Sequence, residues 1–259
     1  MNELPEYLLR LGDDALIAAQ RLGEWVAAAP EMEEDVALAN IALDQLGAAR
    51  LLLSYAAELA TAAGATASAS GGPVTEDSLA FLRDDREFRN CLLVELPNGD
   101  FAVTMAKLLF LSAYQQLLYN ELADSTDERL AGIAAKARKE SAYHLDHSAQ
   151  WVIRLGDGTD ESHRRMQNAV DDTWSYTHEL FLADELTDRL AERAVVPAPA
   201  SLRQEWLAII EPVLAEATLQ QPADGWNPAG GRNGLHTEHL SYLLAEMQVL
   251  HRAHPGAQW

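Results

Sequence analysis

Residues 127–156, DERLAGIAAKARKESAYHLDHSAQWVIRLG, constrain the fold more than any other stretch. Ser125 stands three residues before Glu128, the pattern of a capping box at a helix start. Gly156 is suited to a C-terminal cap. Between these marks Leu130, Ile133, Ala137, Glu140, His144, Ser148, Trp151 and Leu155 follow at steps of three and four, so they share one stripe of a long helix. Glu140 and His144 therefore occupy positions where apolar residues belong. A carboxylate and an imidazole placed there either bind something or are held by internal partners, because an unpaired buried charge is strongly unfavourable.

Three more long helices carry the same signal. Leu8, Leu11, Ala15, Ala18, Leu22 and Trp25 form a stripe that predicts a helix over about residues 5–28. Pro30, followed by Glu31, Glu33, Glu34 and Asp35, opens a second over about 31–60, where acidic side chains suit the positive end of the helix dipole. Its stripe reads Ala37, Ile41, Asp44, Ala48, Leu51, Tyr55, again interrupted by one carboxylate. The third, about 100–123, carries Phe101, Met105, Leu108, Ser112, Gln115, Tyr119 and Leu122, and follows the turn signal Pro97-Asn98-Gly99. Residues 61–74 are small, polar and Gly/Pro-punctuated, a surface loop between two helical pairs, and short helical pieces are expected over 76–96. Two antiparallel pairs joined by a longer connection predict an all-α, ferritin-like four-helix bundle, one domain over 1–259. Additional helices are expected at about 160–191, 199–218 and 236–253.

Charge narrows the partners. Lys and Arg number 19 against 40 Asp and Glu, a net charge of −21, and no basic run relieves it, which disfavours nucleic acid and anionic membrane surfaces. Cys91 is the only cysteine, so neither an intrachain disulfide nor a thiolate metal cluster can form. The N-terminus shows no leader pattern and no uninterrupted apolar stretch of membrane-spanning length occurs, so a cytoplasmic setting is expected.

The acids on the stripes invite a metal reading. A carboxylate-bridged di-iron site needs a Glu from each of two bundle helices and a Glu-x-x-His pair from each of the other two, since carboxylates bridge hard cations and i, i+3 spacing aims two ligands at one metal. Here Asp44 is followed at i+3 by Gly47, and Glu140 by Tyr143. His144 arrives one residue late, about 100° around the helix. The first and third helices offer Gln20, Tyr114, Gln115 and Gln116 in place of ligands. The preferred reading of Asp44 and Glu140 is a pair of buried acids held by hydrogen bonds or by Arg50, Lys107 or His144, with His147 a polar boundary residue. A working di-iron centre is the alternative.

His236-Thr237-Glu238-His239 lacks the i, i+4 spacing of a zinc helix, and capping the last helix is the better reading. Arg83, Arg86 and Arg89 are the best contacts for an anionic ligand, and a solvated Arg/Asp network explains them equally well. Phosphate-binding glycine loops and nucleophile motifs are absent from the sequence.

The segments RLGDDALIAAQRLGEW, EMEEDVALANIALDQLGAARLLLSYAAELA, RDDREFRNCLLVELPNGDFA, KESAYHLDHSAQWVIRLGDGTDES and GLHTEHLSYLLAEMQVLHRAHPGAQW together resemble the structural subunits of ring-1,2-phenylacetyl-CoA epoxidases, also called phenylacetate-CoA oxygenases. The resemblance runs from about Tyr7 to Trp259, with a loop at 61–74 longer than the family's usual one. It implies a non-catalytic subunit that has lost its metal ligands, with no cofactor of its own. Its partner would be a catalytic di-iron subunit of the same ferritin-like type, with electrons supplied from NADPH by a separate reductase, in aerobic phenylacetate degradation. It also implies that Glu87, Phe88, Arg89 and Asn90 approach the phenylacetyl-CoA ester, with Thr187, Asp188 and Arg189 as a second candidate. The alternatives are an autonomous di-iron oxygenase or metal-storage protein, and a generic CoA-binding module.

Overall fold

The computed structural model describes residues 3–66, 73–223 and 225–257. Among them it is all-α and ferritin-like in its long helical hairpins, without a strand. The α-helices are α1 (Leu4–Gly23), α2 (Met32–Ala62), α3 (Glu76–Phe81), α4 (Leu92–Glu95), α5 (Phe101–Leu122), α6 (Glu128–Gly156), α7 (Asp160–Trp174), α8 (Glu185–Glu192), α9 (Leu202–Glu216) and α10 (Glu238–Ala253). Part of the expected 61–74 loop, residues 67–72, lies outside the described residues, as do Gln258 and Trp259. The chain divides into two compact units, Met1–Pro97 with Gly230–Trp259, and Asn98–Ala229.

In the first unit α1 and α2 form a hairpin. Leu8, Leu11, Ala15, Ala18 and Leu22 are buried along α1 as their spacing predicts. At Gly12 the helices come so close that an added Cβ would lie 2.7 Å from the Leu53 side chain. The helix stops at Gly23, short of the expected residue 28. Ala27 takes a left-handed conformation, φ 63°, and its N–H donates to Asp35 Oδ2 at 2.6 Å, which turns the chain into α2. On α2 the buried line runs Leu38, Ile41, Gln45, Ala48, Leu52, Tyr55, one residue away from the expected line at Asp44 and Leu51. The opposite face leaves Met32, Val36, Leu43, Leu46 and Leu51 exposed.

The second unit is organised on α5, which α6, α7 and α9 contact. Asp100 caps it, accepting the Val103 N–H at 3.1 Å. α6 starts as predicted but by another device. Asp127, not Ser125, is the N-cap and accepts the Leu130 N–H at 2.9 Å, while Ser125 Oγ accepts the Asp127 N–H at 3.1 Å and donates to the Val195 carbonyl at 2.6 Å. Gly156 is the last helical residue rather than the expected cap, which is Asp157, and the position needs glycine because a Cβ there would lie 2.4 Å from the Ala217 carbonyl oxygen.

The helix expected over 160–191 is broken. After Trp174 the chain tightens into a 3₁₀ turn, Ser175–Phe181, with Thr177 Oγ1 donating to the Trp174 carbonyl at 2.7 Å. Asp184 and Thr187 then build a capping box that starts α8. The break lets Trp174 and Phe181 reach the same side chain, Trp206 of α9, with ring centroids 5.4 Å away in each case. Phe110 of α5 completes this aromatic core, and the Trp206 indole N–H donates to the Phe110 carbonyl at 3.0 Å.

Candidate functional site

The two interrupting carboxylates leave the buried lines in the same way. On α6 burial passes through Ala137, Ser141, His144, Ser148 and Val152, so Glu140 sits one step outside it. Its side chain is 22% exposed and pairs with Lys136 Nζ at 3.1 Å, one turn earlier on the same helix. The structure thus pairs Glu140 with Lys136 rather than with the expected Arg50, Lys107 or His144. A helix-surface lysine reaches a residue four positions on along its own helix, whereas a fully buried acid needs a partner brought from elsewhere. Asp44 on α2 is likewise only partly buried, Gln45 having taken the interior position.

The remaining metal positions do not repair the set. Gly47 contributes no side-chain ligand, and Tyr143 is 52% exposed. His144 is buried at 1% exposure, and its carbonyl accepts from Ser148 Oγ at 2.8 Å. Ser148 Oγ lies 3.4 Å from Ser112 Oγ of α5, so serines stand at this depth between α5 and α6. His147, predicted as a boundary residue, is half-buried with its ring tilted toward Tyr143 at 6.1 Å. Among the described residues no three or more His, Cys, Asp or Glu side chains are grouped to hold a metal ion. This donor set does not fit a di-iron centre.

Chemistry-bearing side chains do converge in the first unit, around residues 83–95. Two consecutive acids on α1, Asp13 and Asp14, each receive a separate arginine. Arg83 makes a two-pronged contact with Asp13, Nη1 to Oδ2 at 2.9 Å and Nη2 to Oδ1, and lays its guanidinium 4.3 Å over the Phe88 ring. The Arg89 N–H also donates to Asp13 Oδ2, at 2.8 Å. Arg232 reaches Asp14 through Nη1 at 2.9 Å and Nη2 at 2.7 Å, and the Cys91 N–H donates to Asp14 Oδ1 at 2.7 Å. Burial pushes the Asp14 carboxyl up from its ordinary range, opposed by Arg232 and the Cys91 N–H, which favour the charged form.

A second polar knot follows on α4. Glu95, fully buried, accepts from the Asn90 side-chain amide at 2.8 Å and from the Thr237 N–H at 2.6 Å, and the His236 ring lies 2.7 Å away. The 236–239 cluster therefore serves differently from the capping role expected. Thr237 holds the N-cap position of α10, yet its side chain makes no cap bond, and His236 faces inward to α4.

This arrangement fixes where the expected substrate residues stand. Glu87 accepts the Asp84 N–H at 2.9 Å, Phe88 and Asn90 are buried, and Arg89 Nε donates to Glu6 at 2.8 Å while its side chain stays 25% exposed. Of the three arginines, Arg83 is inside the fold and Arg86 is exposed. Thr187, Asp188 and Arg189 belong to the other unit: Thr187 is bound into the cap of α8, Asp188 is exposed, and Arg189 pairs with Glu185 at 3.2 Å. Sequence reasoning missed Asp13, Asp14, Glu95 and Arg232. The one available signal was the acid pair itself, set between Leu11 and Ala15 on a helix whose other buried positions are apolar except Arg10.

With that geometry established, the chain can be set beside known proteins. Its full length, residues 1–259, matches the family model described as phenylacetic acid catabolic protein. It is 51% identical over 259 residues to one of the subunits of the 1,2-phenylacetyl-CoA epoxidase of Escherichia coli (strain K12), with 100% of each chain covered.

Proposed function

The chain belongs to the phenylacetic acid catabolic protein family, and from that premise we propose that it is the non-catalytic structural subunit of a multicomponent phenylacetyl-CoA 1,2-epoxidase. The full-length identity to an epoxidase subunit supports the reading most strongly. The donor set at 44, 47, 140, 143 and 144, which does not fit two irons, supports it further.

The partner is a catalytic subunit of related helical fold that holds the di-iron centre, and electrons reach that subunit from an NADPH-dependent reductase. The exposed apolar line of α2, Met32, Val36, Leu43, Leu46 and Leu51, is the surface we assign to the partner. A helix face of this kind, on a chain of net charge −21, gains by being covered. The partner's iron supplies the oxygen chemistry, and the residues of this chain bind and orient.

The phenylacetyl-CoA ester approaches along Glu87–Asn90, where Arg89 and the exposed Arg86 offer guanidinium groups to phosphate. Phe88 and Asn90 act there as buried supports for the loop. Thr187–Arg189, in the other unit, is the alternative candidate for the ester, through Arg189. Co-expression with the catalytic subunit tests the reading, with size-exclusion chromatography and iron measured on each separated chain. We expect a stable hetero-complex with its iron on the partner. A chain that ignores the partner, or that carries about two irons when purified alone, overturns the proposal.

A further inference from the structure

His236 is held between two acceptors. Nδ1 lies 2.7 Å from Glu95 Oε2 and Nε2 lies 3.1 Å from the Phe88 carbonyl oxygen. A neutral imidazole has one N–H and one lone pair, so one of these contacts would then set lone pairs face to face. Only the imidazolium donates on both sides. The two side chains are 4% and 0% exposed, so water does not offer the ring another partner. Both Glu95 oxygens already accept, Oε1 from the Thr237 N–H and Oε2 from the Asn90 amide. With a donor already on each oxygen, the carboxylate meets the ring as an acceptor, and the hydrogen between them is the ring's.

The pair secures the segment 230–237 against 86–95. A Cβ at Gly231 would lie 2.2 Å from the Asn90 carbonyl oxygen, and one at Gly234, φ +75°, 2.2 Å from that of Arg86. Backbone lies on backbone at both places. Arg232 bonds the carbonyls of Arg10 and Arg89 besides Asp14. His236 and the Thr237 N–H, both on Glu95, are the last anchors before α10 begins.

We propose that His236 and Glu95 form a buried charge latch that holds the 230–237 strap closed while the ring is protonated and loosens it when the proton is lost at alkaline pH. The folded state then binds the proton more tightly than the unfolded chain. Its contribution is complete below the unfolded value of about 6.5 and disappears as pH rises through the folded one. Every neighbouring element supplies a charge that bears on the ring. Glu95 of α4 and Asp85 of the 85–87 turn hold the proton on. Arg21 of α1, bonded to the carbonyls of Glu95 and His239, and Arg89, beside Gly234, oppose it. Glu238 and His239 follow on its own segment.

Nuclear magnetic resonance on the full chain, labelled with ¹⁵N-histidine and assigned with His236→Gln, reads the ring directly. We expect both His236 nitrogens protonated at neutral pH. We also expect amide exchange at Gly231 and Gly234, corrected for its intrinsic pH dependence, to quicken about tenfold as the ring titrates. Glu95→Gln should bring the loss of the proton down to about 6.5 or below. A neutral ring at neutral pH, glycines whose exchange is unchanged through the titration, or a titration unmoved by Glu95→Gln overturns the latch. Where Glu95→Gln does not fold, the native chain's titration and exchange decide alone.

Discussion

α2 and α5 are both long and apolar enough to cross a bilayer by length and composition, yet 78% of the most apolar stretch of α5 is buried and 39% of that of α2. The difference lies in the cover each receives. α5 is apolar on every side and is met by α6, α7 and α9, so Phe110 finds Trp174 and Trp206 and even its serine is bonded, Ser112 Oγ to the Leu108 carbonyl at 2.6 Å. α2 packs one side on α1 and leaves Leu43 64% exposed on the other. A helix hydrophobic all round belongs in an interior. α5 has that interior within its own unit, whereas the outer face of α2 has the composition of an interior and no cover among the described residues.

The largest test of this contrast is Phe110→Ala. Removing a fully buried aromatic that touches two tryptophans should cost about 3–5 kcal/mol, measured by denaturant unfolding. A loss under about 1 kcal/mol would mean that the aromatic core collapses around the gap, and α5 would no longer differ from α2 in kind.

Leu43→Asp should behave in the opposite manner. Unfolding should move by no more than about 0.5 kcal/mol, because the side chain already faces outward. Affinity for the catalytic partner should fall by about 2 kcal/mol, roughly thirtyfold, in a titration with that subunit. A variant that loses stability but keeps the partner would place α2's outer face in the core and the docking surface elsewhere.

The long helices were legible because period 3.6 survives without tertiary information, and α2, α5 and α6 begin and end within about two residues of their predicted limits, whereas α1 stops about five residues early. Which line of a helix faces inward was less legible. Asp44 and Gln45 are both polar and Leu51 and Leu52 both apolar, so two adjacent lines on α2 fit the pattern equally well. Glu140 and Ser141 pose the same ambiguity on α6, and packing resolved both by turning the carboxylate outward. The pairing of Asp14 with Arg232 joins residues 218 positions apart, and no local period encodes such a contact. The break after Trp174 had one local sign, Asp184 three residues before Thr187, which hydrophobic spacing across 174–186 concealed.

Polar seams of the first unit should be weaker supports than the aromatic packing around α5. Ser241 of α10 donates to Asp85 at 2.8 Å, and this bond, foremost among its causes, holds the Asp85 carboxyl below its ordinary range. The sign follows from linkage. With the folded value depressed, the stabilisation is present above the unfolded value of about 3.9 and is lost as pH falls through the folded one. Ser241→Ala should therefore lower stability at neutral pH, by less than about 0.5 kcal/mol given solvent screening, and make little difference in acid. Unfolding curves at the two pH values check it, and an equal loss at both would assign the effect to helix packing instead.

The smallest expected effect separates the most. Glu140 pairs with Lys136, whose side chain is 57% exposed, and an i, i+4 pair of that kind is worth about 0.3–0.5 kcal/mol. Asp44 stands beside the buried line of α2 as Glu140 stands beside that of α6. The double variant Asp44→Ala with Glu140→Ala should thus unfold within about 1 kcal/mol of the native chain, bind the partner as well, and leave the iron content of the chain unchanged. Each alternative leaves its own trace. A ligand pair would show as iron present in the native chain and absent from the variant, whereas a buried acid pair would show as a loss of about 3–5 kcal/mol, the cost of stripping partners from an interior charge. A near-silent result in both measurements follows only if these carboxylates stand beside the buried lines of α2 and α6 and not within them.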